Sequence, residues 1–516
     1  MTNMKSDRIP FMIDRRGFMI AGGATALATM VLPRRSKAAP DGVLVYGLSE
    51  YPPALDPFRH DGAAANTVKL QLYRGLLGLD DKGGIVNELA ESWKLENDTT
   101  YVFKLLPDAV FHNGLPVTAK DVKFSLEQIT AKGSKAYFVE DMKVVSSVDV
   151  VDDKTVRIVL KAPTPSFTKL LATPYAPILS AEAGLEKPVS AGPYKMVSSE
   201  RGVSIDLEAF DRYFKPGLPR TAKMRMVVYK DDSLRVAALE AGDVDVIEYV
   251  PWQSMASIEA NKSLALQETP GPNMYIAFNV QQPPFNDPRV RQAVAYAVKR
   301  EDIVAGAFFG RGAPLFGLPI DPTSEFYDDK TSQLWTYDPQ KAAALLQEAG
   351  VVGTTVTLLS TASYAMHQQT AEIVQQYLMA VGLMVELSLP EWGARVTQGN
   401  EGRYQFAING GSMVINDPDG LSGMVATASP SYRRSYGYSN TELDGLLEKA
   451  RHELDIDKRR ADYHEVAALV QKDVPICTLT SRSQGYALSS RVKQLQTIPG
   501  ILNSYSGYVL ENASLG

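Results

Sequence analysis

Cysteine is almost missing from this chain. Cys477 is the only one among 516 residues, so no intramolecular disulfide can form. It lies in the apolar run Val474 to Leu479 and reads as a small buried hydrophobe. Histidine is scarce too. His60, His112, His367, His452 and His464 are scattered, and none is paired at i, i+3 or i, i+4, which excludes a helical zinc motif. No glycine is followed at the right spacing by Gly-Lys-Ser/Thr, so a P-loop is absent. Gly410-Gly411-Ser412-Met413-Val414 lacks the closing glycine of a nucleophile elbow. Asp417-Pro418-Asp419-Gly420 sets two carboxylates two apart, but the other ligands of an EF-hand loop are missing. Asp243 and Asp245 alternate with apolar residues and read as solvent-facing strand positions. An enzyme therefore has no local signature here; it would need a site assembled from distant residues. Excess positive charge is missing as well. With 53 basic against 59 acidic residues the net charge is −6, which argues against nucleic acid as a partner.

The start of the chain reads as targeting rather than fold. Arg15, Arg16, Gly17 and Phe18 form a twin-arginine pair with an aromatic two residues on. A Gly/Ala-broken apolar segment, Met19 to Leu32, follows; it is too short and too interrupted for a membrane anchor. Ser36-Lys37-Ala38 offers a small-x-small cleavage site. Residues 1–38 are expected to be an export signal read by the twin-arginine machinery. No cysteine stands at the cleavage site, so a lipoprotein is not expected. The leader holds seven basic and two acidic residues, leaving the remainder at −11. The expected compartment is the periplasm.

Beyond the leader the composition is globular, 45% hydrophobic and 22% charged, and the length allows at least two cores. The stretch Pro270 to Leu318 is the organising one. A strand is expected over Met274 to Val280. Asp287 then caps a helix whose first position is Pro288, and Val290, Ala293, Val294, Ala297 and Val298 form its apolar face. Asp338-Pro339 repeats the device and starts the helix KAAALLQEAG. Further expected strands are Val43 to Leu48, Tyr101 to Leu105, two within Asp149 to Leu160, Met224 to Tyr229, Val244 to Tyr249, Thr355 to Ser360 and Met384 to Leu389. Further helices are expected over Thr67 to Leu79, after Thr118, over Leu234 to Ala241 (capped by Asp232 or Ser233), Ala365 to Val381, Asn440 to Ala450 and Arg459 to Lys472. Strands alternating with helices of this length indicate an α/β protein.

Several stretches carry a resemblance. NVQQPPFNDPRVRQAVAYAVKREDIV, NELAESWKLENDTTYVFKLLPDAVFHNGLPVTAKDVKFSLEQIT, the Ala191-Gly192-Pro193-Tyr194 turn and SLRVAALEAGDVDVIEYV resemble the family 5 (peptide/nickel type) solute-binding proteins of bacterial ABC importers, and along the chain they stand in the family's order. Leu106 and Asn113 depart from the usual arginine and aspartate of the second stretch. The likeness covers nearly all of residues 43–510. It implies an α/β, two-lobe periplasmic-binding-protein fold of type II (large cluster), with an extra small α+β domain in the first lobe. The implied division is 39–57, 178–269 and 480–516 for the first lobe, 58–177 for the appended domain and 270–479 for the second lobe. His112, in the appended domain, reads as structural.

The resemblance also implies an interlobe cleft that closes on a solute. Glu50 and Tyr51 follow the first strand and face that cleft. Asn273, Tyr275 and Asn279 supply an amide and an aromatic face. The Glu391-Trp392 pair brings Trp392 near the ligand. The loop Gly410 to Asp417 contributes Gly411, Ser412, Met413 and Asp417. Many peptide binders carry an aspartate three residues before the Asp-Pro of this loop, where it holds the α-ammonium group; Val414 stands there instead, and the loop's usual tryptophan is replaced by Gly411 or Ser412. A buried ammonium without a carboxylate costs several kcal/mol. Ordinary peptides are therefore not expected to be held in the usual way, unless Glu50, Asp417 or Asp419 takes the ammonium. An opine, a sugar–amino-acid conjugate or a modified peptide fits better. Nickel chelates rank low, since no histidine lies between His367 and His452. The implied partners are a small organic solute and membrane permease and ATPase subunits, with no cofactor or metal and a monomeric chain. Two other classes share parts of this reading: a periplasmic hydrolase or metal-dependent enzyme, and a sensory protein that presents its ligand to a receptor.

Overall fold

The computed structural model describes residues 42–59, 62–322, 324–411, 413–428 and 431–516. The expected export signal, His60 and Ser412 lie outside them.

Eleven strands form one mixed sheet. From one edge the order is Met384–Ser388, Thr355–Leu359, Phe406–Gly411, Leu264–Phe278, Ile476–Ser489, Val246–Ile247, Val43–Leu48, Lys223–Val228, Ser204–Ala209 and Tyr194–Glu200, with Gly312–Pro314 added beside Ile476–Ser489. Each half contains parallel pairs joined by a helix. Helix Asp232–Ala241 links Lys223–Val228 to Val246–Ile247, and helix Ala365–Ala380 links Thr355–Leu359 to Met384–Ser388. Between the halves run two long antiparallel strands, Leu264–Phe278 and Ile476–Ser489. The expected boundaries at 269/270 and 479/480 fall inside these two strands. A separate four-stranded antiparallel sheet, Ala90–Asn97, Thr100–Leu105, Thr155–Leu160 and Val145–Asp152, carries helix Ala119–Thr130.

Local chemistry explains most boundaries. Asp287 accepts the Arg289 N–H at 2.8 Å ahead of helix Pro288–Ala297, and Asp338 accepts the Lys341 N–H at 2.9 Å ahead of Pro339–Glu348. The Asp121 carboxylate accepts the Thr118 N–H at 2.9 Å, closing a capping box. Helix Asp232–Ala241 is capped by Asp231, one residue earlier than expected, and ends at Gly242 with φ 76°.

Four expectations fail for tertiary reasons. The helix expected over Thr67 to Leu79 is Ala63–Leu72, and Leu77–Leu79 is a strand. Gly192 presses on the end of that helix, where a Cβ would lie 2.4 Å from the Gln71 carbonyl, and Arg74 turns away to pair with Glu88 and Glu511 at 3.3 and 2.9 Å. The strand expected from Met274 begins at Leu264, because Ile476–Ser489 supplies a partner along its length. The strand expected over Val244 to Tyr249 is only Val246–Ile247. Asp245 is buried rather than solvent-facing; it accepts the Val45 N–H at 2.9 Å, and burial raises its carboxyl above the ordinary range. Cys477 is fully buried with Arg300 3.6 Å from its sulfur, and His112 meets the Gly192 carbonyl at 2.9 Å.

Candidate functional site

A cavity of about 830 Å³ opens where strand Val43–Leu48 ends. Ser49 and Glu50, the start of helix Ala63–Leu72 and Tyr249 to Gln253 form one wall. Phe309 and Tyr364 to Met366 form the facing wall, and Arg482 to Gly485 of the strand Ile476–Ser489 lie between them. The volume suits a solute of a few residues.

Glu248 shapes the first wall. Its buried carboxylate accepts from Ser49 N at 3.1 Å, Ser49 Oγ at 2.7 Å, Tyr46 Oη at 3.2 Å and Thr67 Oγ1 at 3.2 Å. These bonds fix the bend that delivers Glu50 to the cavity rim. Partial burial, then the nearby Glu248, raise the Glu50 carboxyl above its ordinary range. Tyr249 holds a left-handed φ of 49°, an uncommon conformation for a bulky residue. Arg235 holds it there, donating to the Tyr249 and Glu248 carbonyls at 2.7 and 3.1 Å.

The facing wall is aromatic. Tyr364 is T-stacked on Trp392 at 5.3 Å, Trp392 on Tyr432 at 5.8 Å, and the His367 ring lies 5.7 Å from Trp392. Arg395 sits over both the Trp392 and Tyr432 rings, at 5.5 and 5.3 Å. Burial, with Arg395 and Arg482 close by, pushes His367 down to about 3, so the imidazole is neutral.

The residues singled out from sequence divide into three groups. Glu50 lines the cavity, and Trp392 backs Tyr364 on the other wall. Asn273, Tyr275 and Gly411 lie together on the adjacent strands Leu264–Phe278 and Phe406–Gly411, with Asn273 opposite Gly411 and the Tyr275 ring beside it. Tyr275 is buried and donates to the Arg433 carbonyl at 2.7 Å; the Asn273 Nδ2 finds no acceptor among the described residues. Tyr51, Asn279, Met413 and Asp417 serve the protein's own packing. Asn279 donates to the Gly402 carbonyl at 2.8 Å and accepts from Gln281 N at 3.0 Å. Met413 is buried against Gly420, and Tyr51 packs half-buried on the core.

Asp417 and Asp419 are not open to a ligand amine. Arg459 grips Asp417 at 2.6 and 3.0 Å and Lys169 at 2.8 Å, which lowers its carboxyl below the ordinary range despite burial. Asp419 accepts from Arg451 at 2.8 Å and Ser166 at 2.9 Å. Val414 borders a separate cavity of about 300 Å³, and its carbonyl accepts from Tyr505 Oη at 3.0 Å. Arg433 is bonded to the Tyr137 and Tyr432 hydroxyls at 3.3 Å each.

Arg482, Gln484, Trp252, Phe309 and Tyr364 also line the large cavity, and sequence reasoning passed over them. No sequence signal marked Arg482, which lies in the polar run Thr480 to Gly485 and is buried only by its strand partners.

Residues 84–433 match the model of the bacterial extracellular solute-binding proteins, family 5. The chain is 31% identical over 513 residues to the glutathione-binding protein GsiB of Pectobacterium atrosepticum, covering 96% of this chain and 98% of that one. In structure it resembles the PBP AgaA from A. tumefacien R10, solved in complex with agropinic acid, at TM-score 0.83 and 35% identity, covering 92% of this chain and 99% of the other. The fold is shared with the dipeptide binding protein from Pseudoalteromonas sp. SM9913, at TM-score 0.79 and 23% identity over 92% of this chain and all of that one.

Proposed function

Since the chain belongs to family 5 of the bacterial extracellular solute-binding proteins, we propose that it is the solute-capturing subunit of an ABC importer. It closes its two lobes on a small peptide-like solute in the 830 Å³ cavity and delivers that solute, unchanged, to permease and ATPase subunits. The observation that carries this reading is the cavity itself. It is walled by both halves of the sheet, with the strand Ile476–Ser489 passing between them. The α/β, two-lobe type II binding-protein fold fits the role, with lobes divided as expected from the sequence and the twin-arginine leader directing a monomeric chain to the periplasm. Among the described residues no helix is long and apolar enough to cross a membrane.

Glu50 faces the amine of the solute, and Tyr364, backed by Trp392, covers its apolar part. Tyr275, Asn273 and Gly411 support that wall from behind. The solute class we favour is that of glutathione and opines, amino-acid conjugates, over ordinary peptides. Val414 offers no carboxylate, and Asp417 and Asp419 are already engaged.

The test is thermal unfolding of residues 39–516 with glutathione, agropinic acid, dipeptides and nickel chelates. A ligand at about 100 times its Kd adds about 2.7 kcal/mol, roughly 5–10 °C for lobes of this size. We expect that shift from an amino-acid conjugate recovered unchanged. A shift from dipeptides alone overturns the solute class, and consumption of the compound overturns the transport role.

A further inference from the structure

We infer that Arg482, with Gln484 beside it, receives a carboxylate of the solute, so that the cavity holds its ligand acid end toward the strand Ile476–Ser489 and amine end toward Glu50. The inference deepens the proposed function and rests on the cavity being the solute site.

Among the described residues seven arginines are buried, and five of them are matched by carboxylates or backbone carbonyls. Arg74 faces Glu88 and Glu511, and Arg459 faces Asp417. Arg235, Arg291 and Arg300 donate to backbone carbonyls, Arg300 to those of Thr478, Ala295 and Val298. Arg395 donates to the Ile408 carbonyl and is enclosed by rings. Arg395 also leaves its Nε and Nη1 without an acceptor, but it keeps an oxygen partner; Arg482, which borders the cavity at 8% exposure, has only the Met366 sulfur at 3.2 Å, and its Nε finds no acceptor. Among the described residues no carboxylate lies within ion-pair distance of it. Burial lowers its affinity for its proton, the mark of a charge without a counter-ion.

A buried charge lacking a partner is costly, and chains tolerate it where a ligand supplies the partner. The surroundings specify that ligand. Residues two apart on a strand share a face, so Gln484 points where Arg482 points, and its Nε2 also lacks an acceptor. The Trp252 ring backs the guanidinium at 5.7 Å and is itself fixed by its indole N–H on the Ser483 carbonyl at 2.8 Å. A planar fork of donors is suited to a carboxylate taken by two parallel bonds. The cavity is thereby lined by a carboxylate, Glu50, and by a guanidinium without an oxygen partner, Arg482.

The experiment titrates glutathione and agropinic acid, each as free acid and as carboxylate methyl ester, into the mature chain and into Arg482→Gln and Arg482→Lys. We expect the free acids to bind the native chain about 100-fold or more tightly than the esters. Arg482→Gln erases that difference by weakening the acids, and Arg482→Lys restores part of it. Without ligand, Arg482→Gln melts at the native temperature or above, because it removes an unpaired charge; a merely structural arginine would lower it. Acids and esters binding alike, or Arg482→Gln binding the acids as the native chain does, overturns the Arg482 assignment and leaves the cavity as the solute site. If none of the four compounds binds the native chain at millimolar concentration, both the assignment and the proposed solute class fall.

Discussion

His367 shows how far one residue's surroundings govern its chemistry. Its ring is buried between Arg395 and Arg482, and its pKa falls from 6.5 to about 3. The folded chain therefore refuses a proton that the unfolded chain accepts below pH 6.5. Stability from this group is complete above 6.5 and is lost as pH falls toward 3, at up to about 1.4 kcal/mol per pH unit. Denaturant unfolding of the native chain and of His367→Asn between pH 4 and 8 measures this; the variant should lose that part of the slope, and parallel curves would refute the burial argument. At this scale the sequence was readable where a side chain's position follows from its neighbours in the chain. Glu50 could be placed because it leaves the end of a strand. Arg482 could not, because TSRSQG reads as any polar segment until its strand partners bury it.

Elements with local signals were legible, down to their capping residues: Asp287-Pro288, Asp338-Pro339 and Thr118. Elements shaped by distant contacts were not. Helix Ala63–Leu72 stops against Gly192, and the tail Gly500–Asn512 packs along it through Gln71 Nε2 on the Gly507 carbonyl at 2.8 Å. The loop after Phe406–Gly411 carries the sharpest consequence. It reads in sequence as ligand-binding, yet Asp417 ties it to helix Ile456–Asp473 through Arg459 and to helix Phe167–Leu171 through Lys169. Removing one partner of a buried pair strands the other charge. Asp417→Asn should cost about 3–5 kcal/mol of unfolding free energy, read from urea denaturation. An unchanged midpoint would show that the loop holds its shape by other means.

For the whole molecule, the relevant contacts are those that stitch residues 163–169 and the C-terminal tail to the loop after Phe406–Gly411 and to helix Thr441–His452. Besides Lys169 on Asp417, they include Ser166 on Asp419 at 2.9 Å, His452 with the Pro163 carbonyl at 2.6 Å and Tyr505 on the Val414 carbonyl at 3.0 Å. If closure traps the solute, these bonds resist its escape. Tyr505→Phe deletes one hydrogen bond and leaves the 830 Å³ cavity untouched. The expected effect is a rise of about fivefold in the dissociation rate of the bound solute with little change in association, measured by stopped-flow fluorescence. An unchanged dissociation rate would mean that this contact takes no part in retention.

The two long strands slip in register between Pro270 and Asn273, and Gly271 and Pro272 face Arg482 across the slip. A ribbon is most compliant where its ladder is interrupted, and glycine adds to that compliance. On the proposed division both lobes share this ribbon, and its flexure then coincides with the seat of the buried Arg482 guanidinium. On the proposed reading, an anion bound by Arg482 would stiffen the spring at the point where it bends, and capture of the cargo and loss of pliancy would be one mechanical event.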